Sequence, residues 1–173
     1  MELVSICPDE KLSARSANNA ELSPDPLDEL IDFMAAASNN VIEEPIRDLV
    51  AVRAAQMSRY ASCLDMHVRQ ARSHGEDELR LHHLVGWRDS SLFGPRERSA
   101  LAWTEILTER PGEAVPQGIY NDVRTQFSVR EILDLSLVVM AVNCWNRLHA
   151  GLGSVPNFAP QEELEPWPIR ASS

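Results

Sequence analysis

The sequence predicts an all-α domain of about six or seven helices. Three observations carry that prediction. Apolar residues recur three and four positions apart in successive segments, helix start and stop residues punctuate them, and no segment alternates with the period of a strand. At 173 residues and 44% hydrophobic, the chain suffices for one domain with a core and is too short for two. The expected organisation is a flexible polar arm over residues 1–25, a helical domain over 26–156 and an irregular proline-rich tail over 157–173.

Taken in order, "SPDPLDELIDFMAAAS" opens the helical part, with Asp25 as cap, Pro26 in the first turn and Leu27, Leu30, Ile31 and Met34 on one stripe. A second helix runs from about Glu43 to Met57, with Pro45 near its start and Ile46, Leu49, Val50 and Val52 facing inward. The pattern breaks at Met57-Ser58-Arg59-Tyr60, where Ser58 can cap a new helix and the chain should reverse. The third helix carries Cys63 and His67 and stops at Gly75, a residue suited to the left-handed end of a helix. Glu76 to about Trp87 is helical by propensity. "GPRERSALAWTEILTE" is a fifth helix with Pro95 in its first turn, ended at Pro111-Gly112, and "PQGIYNDVRTQF" is a shorter sixth. Ser128 to Glu131 reads as a capping box opening the most apolar helix of the chain, which closes at Gly151 and Gly153. No repeat of fixed period is present, so a solenoid is not expected.

Composition narrows the function classes. A net charge of -10 with no basic cluster argues against a nucleic-acid partner, because binding by counterion release requires grouped Lys and Arg. The longest apolar run, Ile132 to Val142, carries Asp134 and falls short of the ~20 residues of a membrane span, so no membrane partner is expected. The N-terminus lacks the apolar core of a signal peptide, and the expected location is the cytoplasm. Cys7, Cys63 and Cys144 are odd in number and widely spaced, unlike a secreted disulfide framework. His82 and His83 are adjacent and point apart, and with His67 and His74 they make no spaced ligand set. No metal or other cofactor is expected, and solvated surface is their assignment. Trp87, Trp103 and Trp145 are expected in the core, and Arg88, Arg98 and Arg147 in ion pairs and caps.

The segment with chemistry in it is "SRYASCLDMHVRQA", Ser58 to Ala71. Residues four apart share a helix face, so His67 can reach the Cys63 thiol. The thiolate is the nucleophile and an ordinary thiol titrates near ~8.5, so activation needs an imidazole or the positive end of a helix. A helix starting between Ser58 and Ala61 would place Cys63 in its first turn and offer both. Asp48 could orient the histidine only if the chain reverses, since along one straight helix it would be about 22 Å from Cys63. Otherwise Asp48 is an exposed carboxylate facing Arg47 or Arg53, and Cys63 a small core residue.

From about Glu44 to Pro156 the chain resembles the AhpD-like alkylhydroperoxidases of the carboxymuconolactone decarboxylase family. The resemblance is carried by "LVAVRAAQMSRYASCLDMHVRQARSHGEDELRLHHLVGWRDSSLFGPRERSALAWTEIL" and by "VNCWNRL", Val142 to Leu148. The family's reactive segment reads Cys-x-x-Cys-x-x-x-His with a Glu twelve residues before it, and it reduces hydroperoxides by a thiol and disulfide cycle. The resemblance puts Cys63 in the place of the peroxide-attacking cysteine, His67 in that of the histidine and Asp48 in that of the glutamate. Tyr60 falls where the resolving cysteine would be, and Ser58-Arg59 where the family has Asn-Gly. What it implies is a compact AhpD-like fold, a small hydroperoxide substrate, and a homo-oligomer. The cycle left open is one of a single cysteine, in which the Cys63 sulfenic acid is reduced by another thiol. That thiol is external, or Cys7, or Cys144, the last placed by its apolar helix as a small core residue. Tyr60 could supply a phenol to the substrate or simply pack. Two rivals stand beside this reading. One is a lactone decarboxylase-like lyase working through His67 and a carboxylate, and the other is an oligomeric member without catalysis.

Overall fold

The computed structural model describes residues 24–109, 112 and 114–152. The expected arm and tail lie outside the described residues apart from the helix start at Pro24. Helices make up the fold in the order α1 (Pro24–Ser38), α2 (Glu44–Ser58), α3 (Ala61–Ser73), α4 (Glu78–His83), a 3-10 turn (Leu84–Gly86), α5 (Pro95–Glu109), α6 (Gln117–Gln126) and α7 (Val129–Leu152), with no strand among the described residues. Pro24 rather than Asp25 begins the first helix. The single fourth helix expected from Glu76 to Trp87 is instead one short α-helix running into a 3-10 turn.

The hub is α2, which packs against α3, α5 and α7. Its buried apolar residues, Ile46, Leu49, Val50, Val52, Ala54 and Ala55, surround nearly the whole circumference, and the alanines toward its end let neighbours approach closely. Ile46 and Val50 join α5 and α7 in one apolar cluster with Trp103, Leu135 and Val139. Leu49 and Val52 join Leu81, Leu84, Trp87 and Leu101 in a second. A third gathers Met34 and Ala37 of α1, Ala54 and Ala55 of α2, Cys63 of α3, and Ala141, Val142 and Trp145 of α7. All three tryptophans within these clusters are core residues, as their area demands.

Local chemistry ends and starts the helices. α2 stops because Arg59 turns left-handed, with φ 57 and its N–H on the Gln56 carbonyl. It is the one non-glycine residue with positive φ among the described residues, and it stands where the resemblance has glycine. α3 then starts with Tyr60 as its extended cap residue. Ser58 is not that cap; its hydroxyl donates back to the Ala55 carbonyl at 2.8 Å. α3 ends in a Schellman motif, in which Gly75 takes φ 92, Glu76 N–H donates to the Ala71 carbonyl and Gly75 N–H to that of Arg72. The Ser128–Glu131 capping box is formed in both directions, with the Ser128 N–H 2.7 Å from Glu131 Oε2 and the Glu131 N–H 3.2 Å from the Ser128 hydroxyl.

The second polar feature of the scaffold is Glu105 on α5. Buried, it accepts from Trp87 Nε1 at 2.8 Å, from Arg53 Nη2 at 2.7 Å and from Arg88 Nη2 at 2.5 Å. This ties α2 and the segment after the 3-10 turn to α5. Arg98 caps that segment by donating to the carbonyls of Trp87, Arg88 and Ser90. No helix among the described residues is long and apolar enough to cross a membrane.

Candidate functional site

The reversal at Arg59 lays α3 back along α2. Asp48, early in α2, and His67, two turns into α3, therefore line one cavity of about 50 Å³, together with Glu44, Arg47, Gln70 and His74. Val138, Ala141 and Val142 of α7 form its apolar wall and Ser38 of α1 adds to the lining. The straight-helix separation that would exclude Asp48 from any chemistry of α3 does not apply.

Cys63 is the third residue of α3 and lies in its first turn, 2% exposed and packed among Met34, Ala54 and Trp145. Its neighbour one turn on, His67, is also 2% exposed. They share the buried face of α3 with Ala71. The cavity is lined by His67 and not by Cys63, so the thiol sits one turn behind the imidazole as seen from the cavity. Tyr60, half-buried at the start of α3, packs against the cluster that holds Cys63 and does not line the cavity.

Burial dominates the electrostatics of the site. Desolvation, with a lesser contribution from the nearby His149, pushes the His67 pKa down from 6.5 to about 3, so its imidazole is neutral across the physiological range. A neutral ring has a lone pair to accept the hydrogen bond of a thiol, but with its conjugate acid at about 3 it is a weak base and offers no standing positive charge. Burial raises the Asp48 carboxyl above its ordinary value, and the hydrogen bond and charge of His74 oppose that rise. Asp48 is thus neither exposed nor turned to Arg53. Its Oδ2 lies 2.8 Å from Nδ1 of His74, and Arg47 donates instead to the Ile42 carbonyl.

Two histidines enter that the sequence reading did not use. His74, assigned above to solvated surface, is held on Asp48 and reaches within 3.9 Å of Glu44. A signal for it was present, since Cys63, His67, Gln70 and His74 follow one another at three- and four-residue spacing and so form one helical stripe. His149, near the end of α7, is buried with its ring 4.1 Å from that of Trp145. Nothing in its local sequence connects it to α3. Cys144 also departs from expectation: it is exposed on α7 and not a core residue, because it falls on the side of the helix turned away from Trp145 and Val142. His82 and His83 are exposed as expected. No group of three or more His, Cys, Asp or Glu side chains among the described residues could hold a metal ion.

Comparison with known proteins agrees with this architecture. Residues 24–105 match the model of the carboxymuconolactone decarboxylase family. The chain is 31% identical over 134 residues to the uncharacterized protein YdfG of Bacillus subtilis, covering 78% of this chain and 91% of that protein. A protein of unknown function from Agrobacterium tumefaciens, a proposed antioxidant-defence protein AhpD, superposes with a TM-score of 0.77 at 27% identity, over 82% of this chain and 97% of that one. The debrominase Bmp8, solved with 2,3,4-tribromopyrrole, superposes with a TM-score of 0.71 at 13% identity, over 85% of this chain and 78% of its own. At that identity the likeness is one of fold.

Proposed function

Because the chain belongs to the carboxymuconolactone decarboxylase family, we propose that it reduces small hydroperoxides through the single thiol of Cys63, with His67 as its base and Asp48 coupled to His67 across the shared cavity. The observation that carries this reading is the placement of Cys63 and His67 one turn apart on the buried face of α3, beside a cavity that Asp48 also lines. The cavity's about 50 Å³ fits a few waters or a peroxide of a few heavy atoms, and is far below the 300 Å³ or more of ordinary ligand pockets.

In this mechanism His67 takes the thiol proton, and the Cys63 thiolate attacks the terminal peroxide oxygen. The S–O bond forms as the O–O bond breaks, and the leaving alkoxide or hydroxide receives the proton held by His67. The resulting sulfenic acid is reduced by two equivalents of an external thiol, which leave as a disulfide with one water. Tyr60 in place of a resolving cysteine is the reason for an external reductant. The first-turn position of Cys63 favours its thiolate, which the neutral His67 alone would not. Tyr60 packs in the cluster around the thiol, outside the cavity lining, so its part in the mechanism is to shape the surroundings of Cys63.

A second reading has one observation in its favour. His67, Asp48 and His74 line the cavity and Cys63 does not, which suits proton transfers on a lactone without a thiol. The cavity volume counts against a substrate of that size.

The test is a stoichiometric hydrogen peroxide challenge of the folded protein, with a sulfenic-acid trap and mass mapping of each cysteine. The peroxidase reading expects a trapped adduct at Cys63, none in Cys63→Ser, and alkylation of the exposed Cys144 as an internal control. A Cys63 that reacts only after unfolding refutes it. Lactone turnover that survives Cys63→Ser establishes the lyase reading in its place.

A further inference from the structure

We propose that His74 is a positioning and proton-relay residue of the same centre, linking the buried Asp48 carboxyl to the surface at Glu44. This rests on the reading of Cys63, His67 and Asp48 as one site. The side chains grade outward: Asp48 is 7% exposed, His74 21% and Glu44 49%. Asp48 Oδ2 and His74 Nδ1 are 2.8 Å apart, a distance at which one proton is shared between them. On the far side of the ring, His74 Nε2 is 3.9 Å from Glu44 Oε1, too long for a direct hydrogen bond and right for one water or a small ring movement. A buried carboxyl that exchanges protons with a small cavity has such a route in His74, its hydrogen-bond partner, with Glu44, Arg47 and Gln70 beside it in the same lining. α7 contributes only Val138, Ala141 and Val142, and α1 only Ser38.

The step balances with solvent as proton source and sink. When Cys63 has ionised to solvent and not onto His67, the alkoxide or hydroxide leaving the peroxide needs one proton, which Asp48, protonated, gives through the cavity. The carboxylate left behind takes the proton of His74 Nδ1–H, and His74 regains one at Nε2 from water beside Glu44. The proton drawn from solvent equals the one that the Cys63 thiol released, so none is consumed over the turnover. The charged and titratable groups facing His74 are Asp48, Glu44 and Arg47 from α2, with His67 across the cavity on its own helix. His74 sits at the end of α3 with φ -84 and ψ 0, an unstrained backbone that other side chains adopt, so the site can be altered without hollowing the core.

The experiment measures Cys63 oxidation rate against pH in the full chain for wild type, Cys63→Ser, His74→Gln, Asp48→Asn and the double variant of the last two. Glutamine keeps a hydrogen-bond donor for Asp48 but carries no exchangeable charge. His74→Gln and Asp48→Asn should each lower the rate about tenfold or more and flatten the same limb of the pH profile. The double variant should be no slower than the slower single one, as expected of groups acting in series. A His74→Gln rate within twofold of wild type, with an unchanged profile, overturns the relay. If wild-type Cys63 does not react at all, it is the peroxidase reading that fails, and the relay is then judged by imidazole 15N chemical shifts. Asp48→Asn must alter the tautomer and hydrogen-bonded shift of His74 Nδ1, and unchanged His74 signals refute the pairing whatever the activity.

Discussion

A neutral, buried His67 should make the protein lose stability between pH 7.5 and 5.5, by an amount that can be worked out in advance. In the unfolded chain the imidazole titrates at its ordinary 6.5, whereas in the fold burial and then His149 hold it at about 3. Between those values the unfolded state binds a proton that the folded state does not, so stability falls as pH falls. At pH 7.5 neither state is charged at His67 and the contribution is negligible. At pH 5.5 about nine-tenths of unfolded molecules carry the proton, which costs the fold about 1.4 kcal/mol, and the cost grows as pH falls further. The assay is urea unfolding at the two pH values, both above the isoelectric point near 4.9, followed by the fluorescence of the buried tryptophans. For a urea slope of about 2 kcal/mol/M, the His67 share is a midpoint shift of about 0.7 M. His67→Gln isolates that share, since the rest of the chain is the same in both proteins. The variant can be less stable at every pH, because it disturbs a packed face, yet its loss between pH 7.5 and 5.5 must be smaller by about 1.4 kcal/mol. Equal losses in the two proteins would refute a desolvated, neutral His67 and the chemistry built on it.

Two further outcomes follow from the scaffold. Arg59→Gly should raise stability by up to about 1 kcal/mol in the same urea assay, since relief of the left-handed arginine outweighs the extra freedom of glycine in the unfolded chain. Glu105→Ala should cost about 3 kcal/mol at neutral pH, because the partly buried Arg53 and the buried Trp87 N–H lose their acceptor, while the half-exposed Arg88 adds little. Burial alone would raise the Glu105 carboxyl, but Arg88, Trp87 and Arg53 together hold it below its ordinary value. Its stabilising share is therefore present at neutral pH and lost as pH falls through the carboxylate range, and the alanine variant should lack that acid-dependent loss.

The legibility of the site divides along the chain. Cys63 and His67 could be paired from sequence because an i, i+4 relation lies within one helix and needs only the helix to exist. Asp48 needed the reversal at Arg59, which the break in apolar pattern marked, and the family resemblance to say that it mattered. His74 lay on the same stripe as Cys63 and His67, but a stripe does not say what faces it. Only the packing of α3 on α2 brought Asp48 to it. His149 is separated from His67 by the whole of α4 to α6 and reaches it through the tertiary fold alone. Cys144 shows the converse error: an apolar neighbourhood in sequence implied burial, whereas a helix has an outer side even when its composition is apolar.

The sequence by itself determined the helical class, nearly every helix boundary, the capping box, the glycine end of α3 and the thiol–imidazole spacing. All of these depend on interactions within a few residues, which local propensity and periodicity encode. The tertiary structure decided which carboxyl shares a cavity with His67, which histidine holds that carboxyl, and how dry the imidazole is. Those depend on desolvation and on contacts between helices distant in the chain, and no local pattern carries them because they arise only when α2, α3 and α7 close on one another.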